Sequence, residues 1–214
     1  MGTASKVRFV SVRLEDRGPI RGRQSIEFGS GMTVIAGGGG SGKTTIFRSM
    51  AELGPGVKTR GERGLLLEHG RLVFLAGNNV SVADDAIPAG IELGGSVQAA
   101  GRIFMALLEH KPWNARMHSN MDPGPMAAGE WQCLRYAMAF AEREALRLDL
   151  PLVLDSSFGR LDDELRRGLV AYLQGLGCQV VILASPSEVA GLGEPDYFLK
   201  MDEEGTKIRR KECR

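Results

Sequence analysis

No stretch of the 214-residue sequence approaches the roughly 18 consecutive apolar residues that a membrane-spanning helix requires, so no transmembrane helix is expected. Met1–Lys6 lacks the apolar core of a secretory leader, and Lys6 stands where a myristoylation signal needs Ser or Thr. Cysteine is scarce: Cys133, Cys178 and Cys213 are odd in number, and no pair has metal-ligand spacing. The three histidines, His69, His110 and His118, form no HExxH-type pattern. Neither structural disulfides nor a zinc site are expected, which suits a cytoplasmic protein. Charge of one sign is also lacking, since 27 Lys and Arg stand against 26 Asp and Glu. No global field therefore announces a nucleic acid or a membrane as partner. Apolar residues (43%) and charged residues (25%) are in ordinary globular proportion, so wholesale disorder is excluded. The one excess is glycine, with 29 residues, about twice the usual share of ~7%. No collagen period accompanies it, so the glycines point to functional turns.

Val7–Leu14 alternates apolar and polar residues and reads as a strand. Gln24–Phe28 and Thr33–Ala36 read as two more, joined by a turn at Gly29-Ser30-Gly31. A helix follows over Ile46–Leu53, and Lys58–Arg63 reads as a short basic loop. Leu72–Ala76 is an expected strand, Asn78–Gly95 a loop-rich stretch, Val97–Glu109 a helix, and Lys111–Ala127 an irregular, proline-marked segment. Glu130–Arg147 is an expected helix, with Leu134, Ala137, Met138, Ala141 and Ala145 on one apolar face. Leu152–Leu154 and Val180–Leu183 are short and wholly apolar, as strands buried on both faces are. Leu161–Leu176 lies between them as a helix with Leu165, Leu169, Tyr172 and Leu173 inward. Tyr197–Met201 and Thr206–Arg209 suggest a terminal hairpin. A β-rich start followed by alternating helices and strands predicts an α/β fold.

The sharpest motif is Gly37-Gly38-Gly39-Gly40-Ser41-Gly42-Lys43-Thr44, which matches G-x-x-x-x-G-K-[ST] between an expected strand and an expected helix. Glycines let successive N–H groups converge on one phosphate, and the helix N-terminus adds its partial positive charge. Lys43 is suited to the β- and γ-phosphates, and the Thr44 hydroxyl, with Thr45 beside it, to Mg²⁺ and nucleotide. The alternative, a flexible glycine linker with a chance lysine, ignores the flanking elements. Leu150-Pro151-Leu152-Val153-Leu154-Asp155 is an apolar strand ending in a carboxylate, the arrangement that brings an acid to Mg²⁺. Taken alone, Asp155 reads equally well as a helix cap. Met126-Ala127-Ala128-Gly129-Glu130, by itself, is an ordinary helix start.

The order of these parts changes their weight. A phosphate loop, then x-x-x-G-E before a helix, then an apolar strand ending in Asp, then Gly159-Arg160-Leu161-Asp162, resembles the ABC-type ATPase heads of the SMC and RecF class. The stretch Leu14–Gln24, LEDRGPIRGRQ, is similar to the LENFGPFRGRQ opening of such heads. Leu150–Asp162, LPLVLDSSFGRLD, and Gln179–Glu188, QVVILASPSE, are most similar to LPxxIDTPxGRLD and QVILLSTDTE of the SMC-like ATPases of DNA phosphorothioation, the DndD type. The likeness covers about residues 7–50 and 126–201.

The resemblance implies one P-loop ATPase head over 1–214, with a mixed sheet, an N-terminal antiparallel part and a helical lobe near 97–147. It implies ATP and Mg²⁺ as ligands, a homodimer closed by ATP, and an output on DNA or a DNA-processing partner. Ala127, Ala128, Gly129 and Glu130 would then face the γ-phosphate of the second copy, Asp162 would lie at the seam, and Arg17 or Arg21 would contact nucleotide or couple it to DNA. The chain departs from the pattern in five places. Ala127 replaces the signature serine, Ser156 the catalytic glutamate after Asp155, and Ser185 the switch histidine. The interval between phosphate loop and signature also lacks the heptads of a coiled-coil arm, and Gln98 is a weak match to the Q-loop glutamine. ATP binding with slow hydrolysis is the expectation, and an inert ATP-binding module or a transporter subunit are the alternatives. The basic stretches Lys58–Arg63 and Lys207–Arg214 permit phosphate contacts, although solvated surface charge explains them as well.

Overall fold

Strands with polar residues on alternate positions need cover on one face only, whereas wholly apolar strands need it on both. The chain has both kinds. A computed structural model describes residues 8–51, 57–60, 73–76, 79–82, 94–107, 127–145, 151–189 and 192–212. It divides into two compact units, Met1–Ala86 with Asp149–Ser157 and Gly177–Arg214, and Ile87–Leu148 with Phe158–Leu176.

The first unit contains β1 (Arg8–Arg17), β2 (Ile20–Glu27), β3 (Met32–Gly37), α1 (Lys43–Ala51), β4 (Val57–Arg60), β5 (Val73–Ala76) and β6 (Asn79–Val82). The second contains α2 (Gly94–Leu107) and α3 (Ala128–Ala145). The chain returns to the first for β7 (Leu152–Asp155), to the second for α4 (Asp163–Gly175), and to the first again for β8 (Val180–Ala184), α5 (Pro186–Val189), β9 (Tyr197–Asp202) and β10 (Gly205–Arg210). Among the described residues the strands make one mixed sheet in the order β4-β1-β2-β10-β9-β3-β8-β7-β5-β6. Its middle, β9-β3-β8-β7-β5, is parallel, while β4-β1-β2, β9-β10 and β5-β6 pair antiparallel. Every residue of β7 and β8 is buried, as their unbroken apolar sequences require.

Several sequence expectations are corrected here. Lys58–Arg60 is not loop but part of β4, paired antiparallel to β1 with Ser11 opposite Lys58. The expected turn at Gly29–Gly31 does link β2 to β3 along the chain, and the two strands are not sheet neighbours, since β10 and β9 stand between them. Strands β2 and β10 share one backbone register pair, Thr206 with Ile20. The Gln24 side chain completes the joint, donating to Thr206 O (2.7 Å) and accepting from Ile208 N (2.5 Å). The buried Gln179 amide plays the same part elsewhere, accepting from Phe9 N (2.8 Å) and donating to Phe9 O (2.9 Å) and Gly29 O (2.5 Å).

In the second unit, α3 turns Cys133, Tyr136, Ala137, Phe140 and Ala141 inward and leaves Met138 58% exposed. The apolar face is therefore rotated from the one expected, because two aromatic rings bury more area than a methionine. Phe140 stacks on Tyr172 of α4 with centroids 5.2 Å apart. Burial, with Glu144 beside it, pushes the Tyr172 hydroxyl up to about 12. Expected helix 97–109 runs over Gly94–Leu107, with 108–109 outside the described residues, as are 61–72, 83–93 and most of the irregular 111–127 segment. Among the described residues no helix is long and apolar enough to cross a membrane.

Candidate functional site

The phosphate loop is the link from β3 to α1, and its geometry follows from its glycines. Gly42 has φ +98°, which an L side chain rarely adopts, and lets the chain turn from the loop into α1. Ser41 Oγ donates to Gly38 O at 2.9 Å, drawing the loop closed. Gly39 and Gly40 are exposed at its crest, Gly38 is half-buried, and Gly37 is buried at the end of β3. Lys43 opens α1 with only 9% of its surface exposed. Its Nζ donates to Gly37 O (2.7 Å) and Gly38 O (2.8 Å), so the charge is held across the loop.

Thr44, the next residue, donates its hydroxyl to Asp155 Oδ2 at 2.9 Å. Strand pairing brings this about: β8 lies between β3 and β7, so the ends of the phosphate-loop strand and the Asp155 strand emerge one strand apart. No helix begins at Asp155, since the following helix, α4, has its own N-cap in Asp162, which accepts from Leu165 N at 2.9 Å. Burial is the chief cause of a raised Asp155 pKa, and the Thr44 hydroxyl, the Lys43 charge and the Ser156 hydroxyl act against it while the charge of Glu188 adds to it. A hydroxyl and a carboxylate in contact beside a phosphate loop are hard oxygen donors of the kind Mg²⁺ takes with retained waters, so these residues fit that ion.

The other expected residues fall in stated places. Ser156 is exposed at φ +52°, its N–H donating to Leu183 O (2.8 Å) and its Oγ 3.4 Å from Asp155 Oδ1. Ser185 follows β8 directly, and its N–H donates to Glu188 Oε2 at 2.7 Å. Thr45 lies under the β1–β2 turn, where a Cβ added at Gly18 would stand 2.7 Å from its Oγ1. Arg17 donates to Ser49 Oγ on α1 (2.8 Å), and Arg21 lies against Gly205.

In the second unit, Ala127 and Ala128 are exposed and Gly129 and Glu130 buried. Ala127 precedes α3 as its cap, and Glu130 Oε2 accepts from Ala127 N at 2.9 Å. This is half of a capping box, for alanine offers no oxygen to the free N–H groups of the first turn. Gly129 lies so close to the Gly159–Asp162 loop that a Cβ would stand 2.8 Å from Arg160 O. Gln98 lies on α2. Sequence reasoning missed Gln24 and Gln179, whose partners are far along the chain, and Glu188, whose only local signal was Ser185-x-x-Glu188.

The family described as an AAA domain matches residues 11–51, from β1 through the phosphate loop to α1. No curated protein matches the chain. Among solved structures, the SMC head domain from Thermotoga maritima is 14% identical with a TM-score of 0.65, covering 96% of this chain and 100% of that one. A nucleotide-free ATP-binding cassette from an ABC transporter is 14% identical with a TM-score of 0.58, covering 97% and 92%. A bacterial Atm1-family ABC exporter with ATP bound is 17% identical with a TM-score of 0.56, covering 92% and 38%. The chain has the P-loop NTPase fold of SMC and ABC ATPase heads.

Proposed function

We propose that this chain binds ATP with Mg²⁺, closes on a second copy around the nucleotide, and hydrolyses it slowly as a switch in DNA repair, maintenance or modification. The observation that carries the reading is the pairing of two contacts in one loop: Lys43 held across the phosphate loop by Gly37 O and Gly38 O, and Thr44 in contact with Asp155 at 2.9 Å. An ammonium has three donors, so two carbonyls leave one for a phosphate oxygen. The backbone N–H groups of residues 38–44 would cradle the β-phosphate. Thr44 and Asp155 would hold Mg²⁺, which when bound neutralises charge on the β- and γ-phosphates.

The second copy would add Ala127–Glu130 to the γ-phosphate through backbone N–H groups, with Gly129 giving the close approach. Slow turnover follows from Ser156 and Ser185, which place neither a carboxylate nor an imidazole where heads of this type carry them. The same pair of residues favours a second reading, an ATP-binding module without hydrolysis. The DNA output has one structural support. The solvent face of β1, β2, β10 and β9 gathers Arg13, Arg21, Arg23, Lys200, Lys207 and Arg209 against Glu15, Glu27 and Asp202, with Glu204 paired to Lys207 at 3.4 Å. Such a face suits phosphate contacts. The narrower kinship with phosphorothioation heads rests on 150–162 and 179–188 alone.

Light scattering with ATP–Mg²⁺, ADP and no nucleotide, run alongside phosphate release, tests the reading. An ATP-specific dimer with slow release is expected. A monomer in all three conditions refutes the dimer, and an ATP dimer without release selects the inert module.

A further inference from the structure

The stretch Phe158–Asp162, which leads into α4, is anchored at both ends and exposed between them. Phe158 is fully buried and Leu161 nearly so. The Leu161 amide donates to Phe158 O at 3.0 Å, and Asp162 caps α4 by accepting from Leu165 N at 2.9 Å. Gly159 and Arg160, at the crest, are exposed. The same stretch lies against the start of α3 within the second unit, where a Cβ at Gly129 would stand 2.8 Å from Arg160 O. Glycine at 129 therefore sets the Arg160 backbone directly beside Ala127–Glu130.

This placement leaves a fixed cation without a partner. Among the described residues the Arg160 guanidinium makes no hydrogen bond or ion pair. The carboxylates that follow it are engaged elsewhere, Asp162 as the cap and Asp163 with Arg166 at 3.7 Å. Glu130 is buried and accepts from Ala127 N. Ala127 has no hydroxyl, so the Ala127–Gly129 start of α3 offers a phosphate only backbone N–H groups. A guanidinium adds five donors in a planar fork that matches phosphate oxygens, and its charge is permanent.

We propose that Arg160 acts in trans: in the ATP-closed dimer its guanidinium donates to the γ-phosphate held by the phosphate loop of the second copy, in place of the missing signature hydroxyl. The proposal rests on the dimer reading given above. ADP has no γ-phosphate, so the same contact makes closure specific for ATP.

The test uses whole chains and an ATP–Mg²⁺ concentration that fills the unmutated phosphate loop and leaves that of Lys43→Ala empty. A trace of the loaded copy, carrying a fluorophore, is titrated with the empty copy, and pairing is read by anisotropy. In one pair, Arg160→Ala is the loaded copy and Lys43→Ala the empty one, so the nucleotide faces an intact Arg160. In the other, the unmutated chain is loaded and the double variant Lys43→Ala/Arg160→Ala is empty, so the nucleotide faces alanine. Each pair contains one of each substitution, and only the arrangement differs. The first pair should associate about tenfold more tightly than the second, the least that a charge-assisted hydrogen bond contributes. Equal affinities overturn the proposal and leave Arg160 a surface or seam charge away from the nucleotide. A tighter second pair overturns it too, since Arg160 would then serve its own copy. If two unmutated copies do not pair with ATP–Mg²⁺, the dimer reading itself falls and the proposal with it.

Discussion

Replacing Lys43 by Ala removes the one cation built into the phosphate loop. The side chain is nearly buried, and two of its three N–H donors are committed to Gly37 O and Gly38 O. One charge-assisted donor therefore remains for a phosphate oxygen, and such a bond contributes ~1.5–3 kcal/mol. At 1.4 kcal/mol per decade, ATP affinity should fall by about 10- to 150-fold. Stability should change less, because the loss of two hydrogen bonds is partly offset by relief from burying a charge. Lys43→Arg should not restore binding, since a planar guanidinium cannot reproduce the compact ammonium in so enclosed a position. Titration calorimetry with ATP, on variants first shown to be folded by their melting curves, supplies the measurement. A folded Lys43→Ala protein with unchanged ATP affinity would refute the assignment of this loop to phosphate.

Asp155→Asn tests the cost of the metal-side carboxylate. Its folded pKa is raised, chiefly by burial, above the ordinary 3.8, so the charged form costs stability, and the variant should melt higher than the unmutated protein in Mg²⁺-free buffer above the folded pKa, the gap closing as pH falls below about 3.8. Ala127→Ser would complete the capping box of α3 and should stabilise the fold by about 0.5–2 kcal/mol in chemical denaturation, and no gain would mean that the cap geometry is misread. Gly129→Ala places a methyl 2.8 Å from Arg160 O; it should lower stability by ~1–3 kcal/mol and abolish the ATP-dependent dimer, and a dimer of unmutated strength would remove Gly129 from the seam. The unmutated chain should form an ATP–Mg²⁺ dimer lasting minutes, because a positioned general base typically supplies ~10²–10⁴-fold and none stands at Ser156. Ser156→Glu should shorten that lifetime and raise phosphate release, and fast release by the unmutated chain would show that its catalytic group lies elsewhere.

The phosphate loop was legible in the sequence because everything it needs is contiguous: glycines for the turn, Lys43 and Thr44 at fixed offsets, a strand before and a helix after. Strands β7 and β8 were legible for a similar reason, since burial on both faces leaves an unbroken apolar run. The α/β class followed from the alternation of such runs with helical periods. Pairing was not legible. Thr44 meets Asp155 across 111 positions, and Gln179 meets Phe9 across 170, through a strand order that no local pattern specifies. The Lys58–Arg60 segment shows the same limit: its charges and glycine neighbour suggested loop, and an antiparallel partner in β1 made it strand. The inward face of α3 was decided by packing, because its apolar residues fall on more than one side of the helix and the sequence suggested the face with Met138, while Tyr136 and Phe140 are the ones buried. Even the near-neutral net charge concealed something. Pairing β1, β2, β10 and β9 sorts six cations onto one face, a segregation that exists only once residues remote in sequence share a sheet.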